Sequence, residues 1–362
     1  MRVLGLSLDP TIDFRRDPGG KNAGLFAALD RRWGVVGTAR PELDRAALTA
    51  RRLLRFHPDR ERWRRRTNLD PGTFAARTAV AERLLSVWEG RYDIVMQLHT
   101  LCGPGTRPRR YALHTDANYL LTERHYPEGA PLRGRRRDHY LALEGDVYRR
   151  AAWLFPRSEW LRRSFIVDYG CDPARVVAVG GGANLALADL HGRRWDSRTA
   201  VFVGLDLARK GGDALLRAWA RVRQRVPGAR LVMVGATGPA VDGVEWRGHL
   251  KDRAAVAAAY AEAAVFVMPS LYEPWGHVFQ EAMAAGLPCI GASCCAMPEI
   301  IRDGVDGRLV PPGDADALAD ALVELLGDPA QAEAMGRAGH AAVTAGRTWD
   351  HVVDRMAEVT GG

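Results

Sequence analysis

Short apolar runs alternate with segments of helical spacing along most of this chain. Runs of strand length lie at Val3 to Leu8, Gly34 to Thr38, Tyr92 to Leu98, Tyr111 to Leu113, Ala200 to Gly204, Arg230 to Gly235 and Ala264 to Met268, with a shorter one in Val244 to Leu250. Between them apolar residues recur three and four positions apart, as in Leu25, Phe26 and Leu29 after Asn22, or Val278, Phe279, Ala282 and Met283 before Gly286 and Pro288. More polar helices are expected from Pro41 to Phe56 and from Pro71 to Trp88, and a last one around Trp349 to Met356. From Trp153 the pattern predicts a short strand, a helix from Ser158 and a further strand ending at Gly180-Gly181-Gly182. Apolar strands alternating with amphipathic helices build a mostly parallel sheet covered by helices on both faces. The chain is therefore read as α/β.

One stretch organises the rest, Met268 to Gly286, which reads MPSLYEPWGHVFQEAMAAG. A buried strand ends at Pro269-Ser270, a loop carries Glu273, Pro274 and Gly276, and a helix follows. In open parallel sheets such loops sit at the carboxyl ends of the strands, where ligands bind, and a new helix offers backbone N–H groups to an anion. Glu273 and Glu281 flank that helix start. Two carboxylates placed on either side of a bound phosphate suit the hydroxyls of a nucleotide sugar, although for two arbitrary glutamates a turn residue and a solvated helix residue are the better account.

Length and composition narrow the class. The 362 residues suffice for two domains, and no apolar run is long enough for a transmembrane helix. The start, MRVLGLSLDP, is too quickly broken for a signal peptide, so a cytoplasmic protein is expected. Five cysteines form no CxxC pair, which argues against a disulfide framework or structural metal. Asp314 and Asp316 have the spacing of a metal-binding DxD, but they follow Pro-Pro-Gly and precede an apolar-periodic helix, Ala317 to Leu326, so Asp314 is read as a helix cap. No metal site is expected.

Charge is uneven, with a net of +13 in residues 1–195 and −5 in residues 196–362. Arginines cluster in Asp59 to Thr67, Arg107 to Arg110 and Arg133 to Asp138. Such clusters attract lipid head groups or acidic glycans, or are simply solvated faces. Nucleic acid is not expected, since no binding motif accompanies the charge.

The text around Glu273 and Glu281, with Gly286-Leu-Pro, Glu299, Gly304, Gly307 and Val310-Pro-Pro-Gly-Asp, resembles the Glu-x7-Glu signature of retaining family 4 glycosyltransferases. The resemblance is nearly continuous from Trp153 to Met356 and patchy before that. It implies a GT-B fold, two Rossmann-like domains around a central cleft. The expected division is an acceptor-side domain at 1–182, a hinge at 183–199, a nucleotide-sugar domain at 200–345 and a closing segment at 346–362 that crosses back. By the same resemblance Glu273 contacts the donor sugar, Glu281 the ribose, and the amides near Gly276, His277, Val278 and Phe279 the diphosphate. Lys210-Gly211 matches the phosphate-binding lysine. Where the family has Gly-Arg after its strand, this chain has Gly204-Leu205, which leaves Arg209 as the substitute. His114 resembles the strand-end histidine beside the reacting carbon, while His99 is read as structural. Gly19 and Gly20 match the glycine-rich loop that faces the donor phosphate.

The implied activity is transfer of a sugar from a nucleotide diphosphate sugar, UDP or GDP, with retention and without metal or other cofactor. The acceptor is expected to be a glycan, a lipid-linked glycan or a small natural product, with an anionic surface at the inner face of the membrane as a further partner. Another GT-B enzyme, such as a nucleotide-sugar 2-epimerase, and a non-catalytic nucleotide-sugar-binding or peripheral membrane protein are the rivals.

Overall fold

The computed structural model describes residues 1–361 other than 18, 19, 21, 107 and 109. The chain divides into two compact units, one of Met1–Gly180 with Trp349–Gly362 and one of Gly181–Thr348.

The first unit holds strands β1 (Val3–Leu6), β2 (Val35–Ala39), β3 (Ile94–Leu98), β4 (Tyr111–Thr115) and β5 (Trp153–Pro156). They pair in the order β2-β1-β3-β4-β5, all in parallel, with Leu98 opposite His114 and His114 opposite Phe155. Helices α1 (Ala23–Arg32), α2 (Arg45–Leu54), α3 (Arg60–Asn68), α4 (Pro71–Val87), α5 (Tyr119–His125), α6 (Gly134–Arg150) and α7 (Glu159–Val167) connect them. Most begin on the polar side chain that the sequence places there: Asp44, Asp59, Asp70, Asn118 and Ser158 each accept an N–H of the first turn. The arginine-rich run from Arg60 is thus a capped helix.

The strand expected to end at Gly180 is reduced to a single bridge between Val176 and Leu154. Val177 and Val179 still donate to the carbonyls of Leu154 and Pro156, at 2.9 and 3.0 Å. The C-terminal helix Trp349–Thr360 buries Val352, Val353 and Met356 in one cluster with Leu25, Phe26 and Leu29. Its Trp349 indole lies where a Cβ on Gly24 would stand, which explains a glycine inside α1.

The second unit has β6 (Thr199–Val203), β7 (Arg230–Val234), β8 (Val244–Gly248), β9 (Val265–Met268), β10 (Cys289–Ala292) and β11 (Gly307–Val310). Their order is β11-β10-β9-β6-β7-β8, again all parallel. Helices α8 (Gly212–Arg225), α9 (Arg253–Glu262), α10 (His277–Ala284), α11 (Met297–Ile300), α12 (Ala315–Gly327) and α13 (Pro329–Gly346) complete it. β9 is fully buried, as its apolar text requires.

The chain leaves β6 toward β7 on one side and returns on the other as β9, so the switch in strand order falls between β6 and β9. Ligands of open α/β sheets bind outside the carboxyl ends at such a point. Residues 183–199, expected as a polar hinge, are instead docked on this unit. Trp195 is buried with its indole N–H on the Gly286 carbonyl at 2.9 Å, and Ala188 bonds to Ala284 and His340. Apolar anchors within a polar stretch decided this.

Candidate active site

The two loops that leave β6 and β9 meet at the switch point. After β6, Gly204 to Lys210 turn into α8 through Gly211, whose φ of 75° is left-handed. A Cβ at Gly211 would collide with the Pro269 carbonyl after β9, so glycine is needed for conformation and for close approach alike. The Leu271 N–H donates to the Arg209 carbonyl at 2.9 Å and ties the loops together. After β9, Gly276 opens α10, also at φ 75°. Neither helix start carries a side-chain cap, and Lys210 and Glu273 stand just before them in the chain.

Lys210 forms an ion pair with Glu273 across this junction, both side chains being largely buried. Arg209 supplies the second cation: its Nη1 donates to the Tyr272 carbonyl at 2.8 Å and lies 3.8 Å from Glu273 Oε2. The guanidinium therefore lies at the same junction as the Lys210–Glu273 pair. Asp206 lies 3.4 Å from the Arg209 Nε and holds it from behind.

Around α10 the roles divide. Phe279 is fully buried and its amide is committed to the Gly276 carbonyl at 3.0 Å, which leaves Gly276, His277 and Val278 of the amide set expected for an anion. The His277 Nδ1 lies 3.3 Å from the Gly182 carbonyl. Glu281 is only 8% exposed and faces Arg253 Nη2 at 3.2 Å, with Tyr260 packed beside it. Burial raises its pKa above the usual carboxylate value, and Arg253 offsets part of that rise. Arg253 also donates to the Asn184 carbonyl at 2.9 Å, so this guanidinium, which the sequence did not single out, fixes the carboxylate's place.

Asp314 accepts the N–H groups of Asp316 and Ala317, each at 3.0 Å, and Asp316 pairs with Arg221. Both carboxylates of the DxD text are thereby committed to helix capping and a surface ion pair.

In the first unit the two histidines lie in different surroundings. His114 is fully buried within β4, its Nδ1 donating to the Phe155 carbonyl at 2.8 Å and its Nε2 accepting from Arg157 Nε at 3.2 Å. Burial and the Arg157 charge push its pKa well down, so the ring is neutral. With both nitrogens bonded inside the protein it presents nothing to a ligand here.

His99, read as structural, ends β3 in a left-handed conformation, φ 56°. Its Nδ1 lies 3.6 Å from Asp116 and 3.4 Å from the Thr115 hydroxyl. It opens onto a cavity of about 300 Å³ at the carboxyl ends of β3 and β4, with Thr100, Asp116, Asn118 and Glu144 in the wall. Buried Arg157 pairs with Asp116 at 3.4 Å behind it. The one-residue difference between the ends of β3 and β4, set by the sheet register, decides which imidazole is inside.

Gly20 packs where a Cβ would strike Thr11, a local reason for glycine, and Gly19 lies outside the described residues.

Residues 197–328 match the model of the glycosyl transferases group 1 family. The chain is 30% identical over 306 residues to a D-inositol 3-phosphate glycosyltransferase of Kribbella flavida, covering 74% of this chain and 70% of that protein. A phosphatidyl-myo-inositol mannosyltransferase of Mycobacterium leprae is 38% identical over 201 residues, covering 51% and 53%. Among solved structures, a sucrose-phosphate synthase from Thermosynechococcus elongatus superposes with a TM-score of 0.74 at 21% identity over 99% of this chain and 98% of that one. Anabaena HepE in complex with UDP and glucose superposes at 0.67 and 16%, over 100% and 99%. At these identities the solved structures speak for the fold alone, which is GT-B. The chain belongs to the family 4 glycosyltransferases, enzymes that move a sugar from a nucleotide sugar to an acceptor.

Proposed function

We propose that the β6/β9 junction of the second unit holds the donor. Lys210, Arg209 and the amides of Gly276, His277 and Val278 take the diphosphate, Glu273 takes hydroxyls of the sugar, and Glu281 takes the ribose diol. The observation that carries this is the convergence of two glycine-opened helix starts, two cations and one carboxylate at a single switch point. A helix dipole alone contributes about 0.3–1 kcal/mol, so the cations are needed for a leaving diphosphate. Donor binding exchanges the Lys210 ammonium from Glu273 to phosphate and frees the carboxylate for the sugar. Transfer then proceeds with retention and without metal. Calorimetric titration of UDP, GDP and their sugars onto the protein tests the site, and the anomeric configuration of the product by NMR tests the stereochemistry. Absence of binding by every nucleotide would remove the assignment.

The acceptor is proposed to be a polyol that carries a phosphate, as the names of the relatives suggest. The His99 cavity supports that reading, because Asp116, Thr115 and Asn118 supply hydroxyl partners beside the buried Arg157 charge.

A lipid-borne acceptor is favoured by α2, none of whose residues is buried. Leu53, Leu54 and Phe56 are 68%, 72% and 64% exposed, next to Arg51, Arg52 and Arg55. Trp63 of α3 fixes this corner, its ring 5.4 Å from Phe56 and its N–H on the Arg52 carbonyl at 2.7 Å. Apolar tips within an arginine belt match an anionic bilayer surface. Sedimentation with anionic and neutral vesicles at low and high salt checks it, and no binding to either returns the acceptor to a soluble molecule.

A further inference from the structure

The turn after β10 carries Cys294 and Cys295, and nothing in the donor reading uses them. Among the described residues only three other than glycine hold a left-handed φ: His99, Arg198 and Cys295, the last at 52°. Such a conformation costs about 1–3 kcal/mol and persists where the surroundings impose it. Cys294 Sγ lies 3.3 Å from the Ser270 carbonyl and 3.7 Å from that of Leu271. Cys294 thus grips the first half of the loop that carries Glu273. Both residues are half-buried, whereas Cys102, Cys171 and Cys289 are buried.

We propose that Cys294 and Cys295 form a reversible thiol-oxidation site for hydroperoxides that loosens the Glu273 loop. The Cys294 thiol donates to the Ser270 carbonyl and so keeps its proton as the resolving sulfur, which leaves Cys295, its pKa lowered beside Cys294, as the attacking one. The Cys295 thiolate attacks one oxygen of the peroxide and breaks the O–O bond, giving a sulfenic acid and hydroxide. The Cys294 sulfur then attacks the sulfenic sulfur, the S–S bond forms, and the departing hydroxide takes the thiol proton as water. Two thiols lose two electrons and the peroxide is reduced to water.

Neighbouring Cα atoms are about 3.8 Å apart across a trans peptide, below the usual disulfide span of about 4.4–6.8 Å. The bridge is therefore strained and readily reduced, as a reversible mark requires. Forming it removes the Cys294 S–H from the Ser270 carbonyl and so frees the start of the Glu273 loop.

The consequence for donor binding rests on the reading of Glu273 above, whereas the thiol chemistry and loop loosening do not. The full chain is treated with hydrogen peroxide and followed by intact mass, alkylation mapping and amide hydrogen exchange over residues 270–276. Expected are loss of two hydrogens' mass, protection of Cys294 and Cys295 from alkylation, and at least about tenfold faster exchange of the Leu271 amide, all reversed by dithiothreitol. Cys295→Gly, which suits the left-handed backbone, should fold and show none of these changes. Stepwise gain of oxygen without a bridge, a bridge that leaves exchange at 270–276 unchanged, or the same response in Cys295→Gly would each overturn the proposal. UDP and GDP titrated onto the reduced protein report separately on the donor site: binding there and about tenfold weaker binding after oxidation is the expected pair.

Discussion

Substituting Glu281 and Glu273 by glutamine separates the two halves of the donor site. Glu281 is held by Arg253 at 3.2 Å in a nearly closed environment, so it is oriented before ligand arrives. A hydrogen bond to a charged group is worth about 1.5–3 kcal/mol, and Glu281→Gln replaces the charge while keeping the volume. Free UDP or GDP, whichever the native protein binds, should weaken by about 10- to 150-fold at about 1.4 kcal/mol per decade. Glu273→Gln should behave differently. Lys210 is now shared with that carboxylate, so removing its charge leaves the ammonium wholly to phosphate, and nucleotide affinity should hold or rise while turnover collapses.

A pH arm sharpens the test. The Glu281 pKa is raised, ribose hydroxyls favour the ionised form, and binding should therefore weaken as pH falls through that raised value. Glu281→Gln should flatten this slope. Calorimetry at several pH values on both variants gives all of these quantities. If Glu273→Gln weakened free nucleotide more than Glu281→Gln did, the assignment would be reversed, and a retained slope in Glu281→Gln would place the titrating group elsewhere.

Activity should persist in excess EDTA while Lys210→Ala loses about 10- to 100-fold in nucleotide affinity, from one charge-assisted contact; full loss in EDTA restored by magnesium would refute this. Glu144, fully buried against Tyr169 and the Tyr119 N–H, has its pKa raised by burial to about 7. The folded state then holds a proton that the unfolded chain releases near the usual 4.5, so this stability is complete below about pH 4.5 and is lost as pH rises through about 7. That amounts to about 3 kcal/mol, and thermal melts should show Glu144→Gln removing most of this pH dependence. Gly211→Ala should destabilise the second unit by more than about 1 kcal/mol and abolish nucleotide binding, because its Cβ meets the Pro269 carbonyl at a left-handed φ; an unchanged melt would contradict the close approach.

Local chemistry was legible along the chain. Asp314 caps its helix, the β9 strand breaks at Pro269, and Gly211 and Gly276 open helices, because caps, breakers and glycine turns act within four or five residues. The sequence by itself therefore determined the strand–loop–helix units and the residue types at each loop. What it could not rank was which loops meet. Lys210 and Glu273 stand 63 residues apart and become partners only because β6 and β9 are neighbours across the switch in strand order. Arg253 reaches Glu281 and Cys294 reaches the Ser270 carbonyl through packing that leaves no periodic trace. The histidines show the limit most sharply. His99 and His114 each close an apolar run, and only the parallel register, which sets Leu98 opposite His114, buries one imidazole under Phe155 and Arg157 and leaves the other at the cavity mouth. Side-chain burial at a strand end is a property of the neighbouring strand's length, and that is fixed by tertiary structure alone.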